Sequence, residues 1–249
     1  MTTQPVSSQE DQFRAVRLWL YGLAILIAIM VLVGGATRLT DSGLSITEWA
    51  PIRGFVPPFS AADWLGEFLA YQTTDEFKQQ NSAMTIEEFK HIYWWEWGHR
   101  FLGRIIGLAI LFPMIFFWVT GRLNSWLKVS VIILFLLVSF QGFLGWWMVK
   151  SGLVDRVDVS QIRLAVHLVT ACILFAAVIW VARTIAPHTQ DNALSGTLQG
   201  GLLVALVLVQ IFLGGLVAGL DAGMAFNTWP RMNGAWIPDG LWAASPPWT

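Results

Sequence analysis

Charge is scarce in this chain: Asp, Glu, Lys and Arg make up 12% of its 249 residues, about half the share of an ordinary soluble domain. The little charge there is balances, 15 Lys and Arg against 16 Asp and Glu, and no basic run interrupts it. That leaves no electrostatic footing for a nucleic-acid partner. Cysteine is scarcer still. The single Cys172 excludes a disulfide framework within the chain and a cysteine-based metal site, and leaves the redox compartment open. In place of charge there is apolar surface: 55% of residues are hydrophobic, mean hydropathy is +0.59, and there are 15 tryptophans.

The apolar residues are gathered into runs. A bilayer core about 30 Å thick takes roughly 20 helical residues to cross, and five stretches are long enough: Leu18 to Thr37, Phe101 to Val119, Val129 to Val149, Leu164 to Ala182 and Gly200 to Leu220. The first is too long for a signal peptide and no small-residue cleavage site follows it before Arg38, so it is a retained span. Pro113 interrupts the second and predicts a kink whose freed backbone group neighbouring helices must satisfy. The sequence therefore predicts an all-α polytopic membrane protein.

Basic residues orient the spans. Arg14 and Arg17 precede the first, Arg122 and Lys128 lie between the second and third, and Arg183 follows the fourth. These segments share one side, taken as cytoplasm or matrix, although Lys150, Arg156 and Arg163 in the third-to-fourth loop weaken the bias. The acidic loop between the first two spans faces outward, to periplasm or intermembrane space. Tryptophans anchor both interfaces: Trp19, Trp118, Trp126 and Trp180 inside, Trp94, Trp95, Trp97, Trp146, Trp147 and Trp229 outside. Within the long loop, Thr85-Ile-Glu-Glu88 is a capping box whose helix runs into the second span. Residues Ser60 to Tyr71 form a second amphipathic helix, and both are expected on the membrane surface as a cap.

A shift of 180 residues superimposes Gly34-Gly35 on Gly214-Gly215, Asp41 on Asp221, Gly43 on Gly223 and Trp49 on Trp229. The fifth span thus restarts a pattern begun by the first. The organisation expected is a cytoplasmic segment over 1–17, a four-helix bundle over 18–183 with its outer loop at 38–97, and the start of a second pseudo-symmetric bundle over 198–249. On this reading the sequence is truncated, with about three spans of the second unit missing.

Ionisable groups at membrane depth are costly and usually functional. Glu96 and His99, three residues apart, share a face at the outer start of the second span, beside Arg100 and Arg104. His167, with Arg163 one turn earlier, opens the fourth. Both spans run inward, so the two imidazoles come to similar depth, as axial ligands to a haem held between facing helices do. Arg100, Arg104 and Arg163 suit its propionates. The alternative for the histidines is helix–helix hydrogen bonding; for Glu96, an interfacial pairing with Arg100. His91 belongs at the surface and His188 in a solvated inner loop. Gln141 and Gln210 are expected to bridge helices, and Asp41 and Asp221 to occupy turns.

Several strings resemble haem A synthases of the proteobacterial and mitochondrial type. They are Gly34-Gly-Ala-Thr-Arg-Leu-Thr-Asp-Ser-Gly-Leu-Ser45, Glu96-Trp-Gly-His-Arg-Phe-Leu-Gly-Arg104, Gln141-Gly-Phe-Leu-Gly145, Arg163-Leu-Ala-Val-His167 and Met224-Ala-Phe-Asn-Thr-Trp-Pro230. The resemblance runs from Leu18 to Thr249. It implies two pseudo-symmetric halves, each with a histidine pair. His99 and His167 are implied for the substrate haem O, and a pair beyond Thr249 for a haem B cofactor. It implies Glu96 in catalysis, as the porphyrin C8 methyl is oxidised to the formyl group of haem A for cytochrome oxidase. The implied partners are the bilayer, an electron donor, haem O synthase and cytochrome oxidase assembly factors, in a bacterial or mitochondrial inner membrane. A chain ending at Thr249 is then expected to be inactive alone. A bis-histidine electron-transfer cytochrome, a haem-handling protein and a transporter are the other classes the pattern admits.

Overall fold

The structure, a computed structural model, describes residues 13–153, 157–186, 197–228 and 230–237. Its helices are α1 (Arg14–Leu39), α2 (Ala61–Tyr71), α3 (Asp75–Gln79), α4 (Ile86–Val119), α5 (Ser125–Gly152), α6 (Gln161–Thr184), α7 (Thr197–Gly219) and α8 (Ala222–Ala225). Among the described residues there is no strand, only an isolated antiparallel bridge between Met232 and Ala235. Five helices (α1, α4, α5, α6 and α7) are long and apolar enough to cross a membrane, so the chain is a polytopic helical membrane protein. Arg156, His188 and Trp229 lie outside the described residues.

Local sequence sets the helix starts. Ser60 and Thr85 each accept a hydrogen bond from the backbone N–H three residues on, while Asp63 and Glu88 reach back to the cap, closing two capping boxes. The second box opens a continuous helix of 34 residues, so the expected loop helix and second span are one rod. Asn124 caps α5 through the Leu127 N–H at 2.8 Å.

Four of the long helices close into a ring: α1 packs on α4 and α6, and α5 packs on the same two. Thus α4 faces α6 across the bundle, and α1 faces α5. The core below the loop-bearing end is aliphatic, with Leu20, Leu23, Ile110, Leu127, Val131 and Val178 fully buried. α7 lies outside the ring against α6. A Cβ on Gly215 would stand 2.9 Å from Ala165 Cα, and one on Gly219 2.7 Å from Gln161 Cα. Two small residues one turn apart thus let the α7 backbone touch α6, the usual device where apolar side chains gain nothing by leaving lipid.

The proline in α4 is compensated from a neighbouring helix. Pro113 has no N–H, so the carbonyl four residues earlier, Ala109, lacks its helical donor. The indole N–H of Trp19 on α1 donates to that oxygen at 2.7 Å, and its ring packs on Phe117 at 5.4 Å. Trp19 is therefore a partly buried interhelical donor, a role its place at the end of the span did not reveal. Trp118, Trp126 and Trp180, at the same end, are exposed to the surroundings as expected. The glutamine expectation is corrected. Gln210 is exposed on α7, and Gln141 keeps a buried carboxamide oxygen with no hydrogen-bond partner among the described residues.

The loop-bearing end has a core of its own. Phe68 and Tyr71 of α2 meet Phe89 and Tyr93 of α4, with Ile46 beneath them, and the Tyr71 and Phe89 rings stack at 5.2 Å. α2 is therefore one wall of a small aromatic core. Two repeated features recur in the backbone. α1 ends at Leu39 and α7 at Gly219. Asp41 and Asp221 then take left-handed φ of 46° and 50°, a region Asp tolerates better than most side chains. Their carboxylates do more than turn the chain: both pair with Arg38 at 2.8 Å, and Asp158 joins them at 2.9 Å. One guanidinium thus ties the end of α1, the α5–α6 loop and the end of α7 together.

Candidate haem site

The two histidines stand on helices that face each other across the ring, His99 on α4 and His167 on α6. The other diagonal carries glycine at both places. A Cβ on Gly34 of α1 would meet His99 Nε2 at 3.1 Å, and one on Gly145 of α5 would meet His167 Cε1 at 3.5 Å. The absent side chain at Gly34 therefore leaves room for the His99 edge, while a Cβ at Gly145 would come only to ordinary contact with His167. Neither ring makes a hydrogen bond among the described residues, and His167 Nδ1 is buried without a partner. An orphaned buried polar atom costs about 1–3 kcal/mol, and among the described residues neither histidine makes the helix–helix hydrogen bond that was the alternative for it.

The described residues hold no cluster of three or more His, Cys, Asp or Glu able to bind a metal by themselves. His99 and His167, on facing helices, would suit a haem, whose porphyrin would supply the other ligands of the iron.

Glu96 and the arginines are held in a different way. Residues 45–54 run along α4 as a strap fastened by its side chains. Glu96 is buried, 2% exposed. One of its oxygens accepts from Ser45 Oγ and the Ile46 N–H, both at 2.7 Å, and the other from Arg100 Nε and Nη2. Arg100 also donates to the Ile46 and Glu48 carbonyls, Arg104 to those of Ala50 and Pro51, and the Trp97 indole to that of Gly54. Positions 96, 100 and 104 repeat every four residues, so they line one stripe of the helix. Arg104 retains one buried unpartnered nitrogen, Nη1. Arg163 donates to the Trp147 carbonyl at 2.7 Å and lies 4.4 Å over its ring, joining α6 to α5. The structure thus brings Glu96 and Arg100 together and directs most of the arginine donors to backbone.

Sequence reasoning passed over two groups near this end. A cavity of about 290 Å³ opens between the strap and α5, lined by Thr47, Glu48, Trp49, Arg100, Trp146 and Lys150 among others. The Lys150 amine lies 5.2 Å over the Trp146 ring and has no carboxylate partner among the described residues. Its position, five residues beyond Gly145 in the same helix, is the signal that marks it. The second is Glu76 of α3, 4% exposed, with Oε2 unpartnered. Burial, then the negative charges of Glu96, Asp158 and Asp41, push its carboxyl up to about 8.

The described residues thus form a polytopic helical membrane bundle with a histidine pair, His99 and His167, on two helices that face each other. Residues 17–249 match the family COX15-CtaA, described as cytochrome oxidase assembly protein, and the chain belongs to that family. Proteins called heme A synthase are similar to it: 56% identical in Chelativorans sp. (strain BNC1), over 94% of this chain and 65% of that one. The Sinorhizobium fredii (strain NBRC 101917 / NGR234) protein is 50% identical over 99% and 69%. The Rhizobium etli (strain CIAT 652) protein is 52% identical over 98% and 67%. The chain thus spans about two thirds of the length of these relatives. No solved structure matches it.

Proposed function

We propose that this chain binds haem O between α4 and α6 and takes part in oxidising its C8 methyl to a formyl group, so forming haem A for cytochrome oxidase. The observation that carries the reading is the opposed pair His99 and His167, both without a hydrogen bond among the described residues and faced by glycines. Membership of the family and similarity to proteins called heme A synthase support it.

His99 and His167 set the depth and tilt of the porphyrin, which is catalysis by positioning. Being charged, the propionates would be held at the loop-bearing end by Lys150 and Arg100 at the rim of the cavity beneath the strap, with Arg104 and Arg163 at the same end. Glu96 supplies negative charge that stabilises positive charge developing at the oxidised methyl. Ser45, Ile46 and Arg100 hold its carboxylate in one orientation. Among the described residues no second opposed pair is present for a haem B cofactor, since His91 is exposed, and no role here depends on one. The membrane is a bacterial inner membrane, with the start of α1 on the cytoplasmic side. The electron donor, haem O synthase and oxidase assembly factors are the proposed partners.

The test is the haem extracted from the protein purified out of cells that make haem O. Haem O or A is expected with the wild type, neither with His99→Ala or His167→Ala, and haem O without haem A with Glu96→Gln. Haem B alone in the wild type, unaffected by Glu96→Gln, would overturn the reading in favour of an electron-transfer cytochrome.

A further inference from the structure

The carboxamide oxygen of Gln141 is buried and receives no hydrogen bond among the described residues. In an apolar bundle such an atom is costly unless something else fills its place. Its location says what does. Gly145, whose missing Cβ faces the His167 ring, is about one turn further along α5, so Gln141 lies on the same face about 6 Å deeper in the bundle. Side chains lean toward the start of their helix. The start of α5 is at the end opposite the long loop, so Gln141 leans deeper still. It is therefore not placed to bond His167, which leans the other way on α6. It sits below the imidazoles.

A porphyrin held edge-on between His99 and His167, its propionates toward the loop-bearing end, presents its opposite edge at this depth. In haem B that edge carries two apolar vinyl groups. In haem O one of them is replaced by a hydroxyethyl group extended by a farnesyl chain, so a single hydroxyl sits where a carboxamide can bond it. We infer that Gln141 is the residue that selects haem O over haem B, by accepting a hydrogen bond from that hydroxyl. The inference rests on the haem-binding reading above. The selectivity follows from the general asymmetry of polar sites. A group built to bond a hydroxyl is left unpaired by an analogue that lacks it, a contribution separate from the apolar contact that the farnesyl chain makes.

The test is a titration of the purified, haem-free protein with haem O and with haem B, followed by the Soret band, for the wild type and Gln141→Leu. The wild type is expected to prefer haem O by about five-fold or more, the range of one hydrogen bond in such a site. Gln141→Leu is expected to reduce that preference by about five-fold by weakening haem O binding alone, leaving what the farnesyl chain contributes. The haem-free variant is expected to melt no lower than the wild type, because the substitution removes an unpartnered buried oxygen; that controls for misfolding. A haem O preference of unchanged size in Gln141→Leu overturns the role of Gln141 while leaving the haem site standing. A wild type that binds neither haem overturns the haem-binding reading, and this inference with it.

Discussion

The hydrogen bond from Trp19 to the carbonyl of Ala109 exists because Pro113 cannot supply one, and that dependence can be measured. Trp19→Phe keeps a ring against Phe117 but leaves the carbonyl without a donor. Pro113→Ala restores the helical N–H and makes the indole redundant. The two substitutions should therefore be strongly non-additive. Interhelical hydrogen bonds in membranes contribute about 0.6–1.7 kcal/mol, and an orphaned buried carbonyl costs about 1–3 kcal/mol. Trp19→Phe is then expected to cost about 1–2 kcal/mol more in the native background than with Pro113→Ala, a coupling well above the few tenths expected of independent sites. For a chain of this size that is a difference of about 3–6 °C in melting temperature. Cys172 provides the assay: it is the only thiol, partly buried in α6, so a thiol-reactive dye reports unfolding in detergent without depending on tryptophan emission. Equal melting losses in the two backgrounds would refute the compensation argument.

Gly34→Ala should disturb haem binding more than Gly145→Ala, since the new methyl presses on His99 Nε2 at 3.1 Å but meets His167 at the ordinary contact distance of 3.5 Å. The Soret amplitude of each purified variant gives the order. Glu76, whose carboxyl stands at about 8 when folded against an ordinary 4.5, holds its proton in the folded state after the unfolded chain has released it. The aromatic core at the loop-bearing end should therefore lose stability as pH rises from about 4.5 to 8 and level off above. Glu76→Gln should remove that slope, read as proteolytic protection of α2 against pH. Gly215→Leu with Gly219→Leu should push α7 off α6, because a Cβ at the two positions would stand only 2.9 and 2.7 Å from the α6 backbone. A cysteine pair placed across the two helices, after Cys172→Ser, should then fail to cross-link.

Much of this protein was legible in one dimension, because a bilayer makes strong demands on sequence. The spans announce themselves as apolar runs, since no other segment can satisfy its backbone in hydrocarbon. The capping box at Thr85 acts through residues three apart, so the sequence alone placed the start of α4, and the amphipathic pattern from Ser60 to Tyr71 placed α2. His99 and His167 stood out because a titratable side chain at that depth is expensive. The offset that aligns Asp41 with Asp221 was visible for the same reason: glycine and aspartate at span ends are few and specific.

What lay beyond the sequence was every partnership between residues far apart. Arg100 and Arg104 read equally well as propionate clamps or loop fasteners, and only the path of residues 45–54 along α4 decided where most of their donors go. Trp19 looked like any interfacial tryptophan until α1 was laid against the proline of α4. Gln141 looked like helix glue, and packing left it unpaired. Composition and periodicity determine which segments enter the membrane, because that depends on each segment's own transfer from water. Which polar atoms meet inside depends on how helices are rotated against one another, and rotation is set by the packing of all of them together.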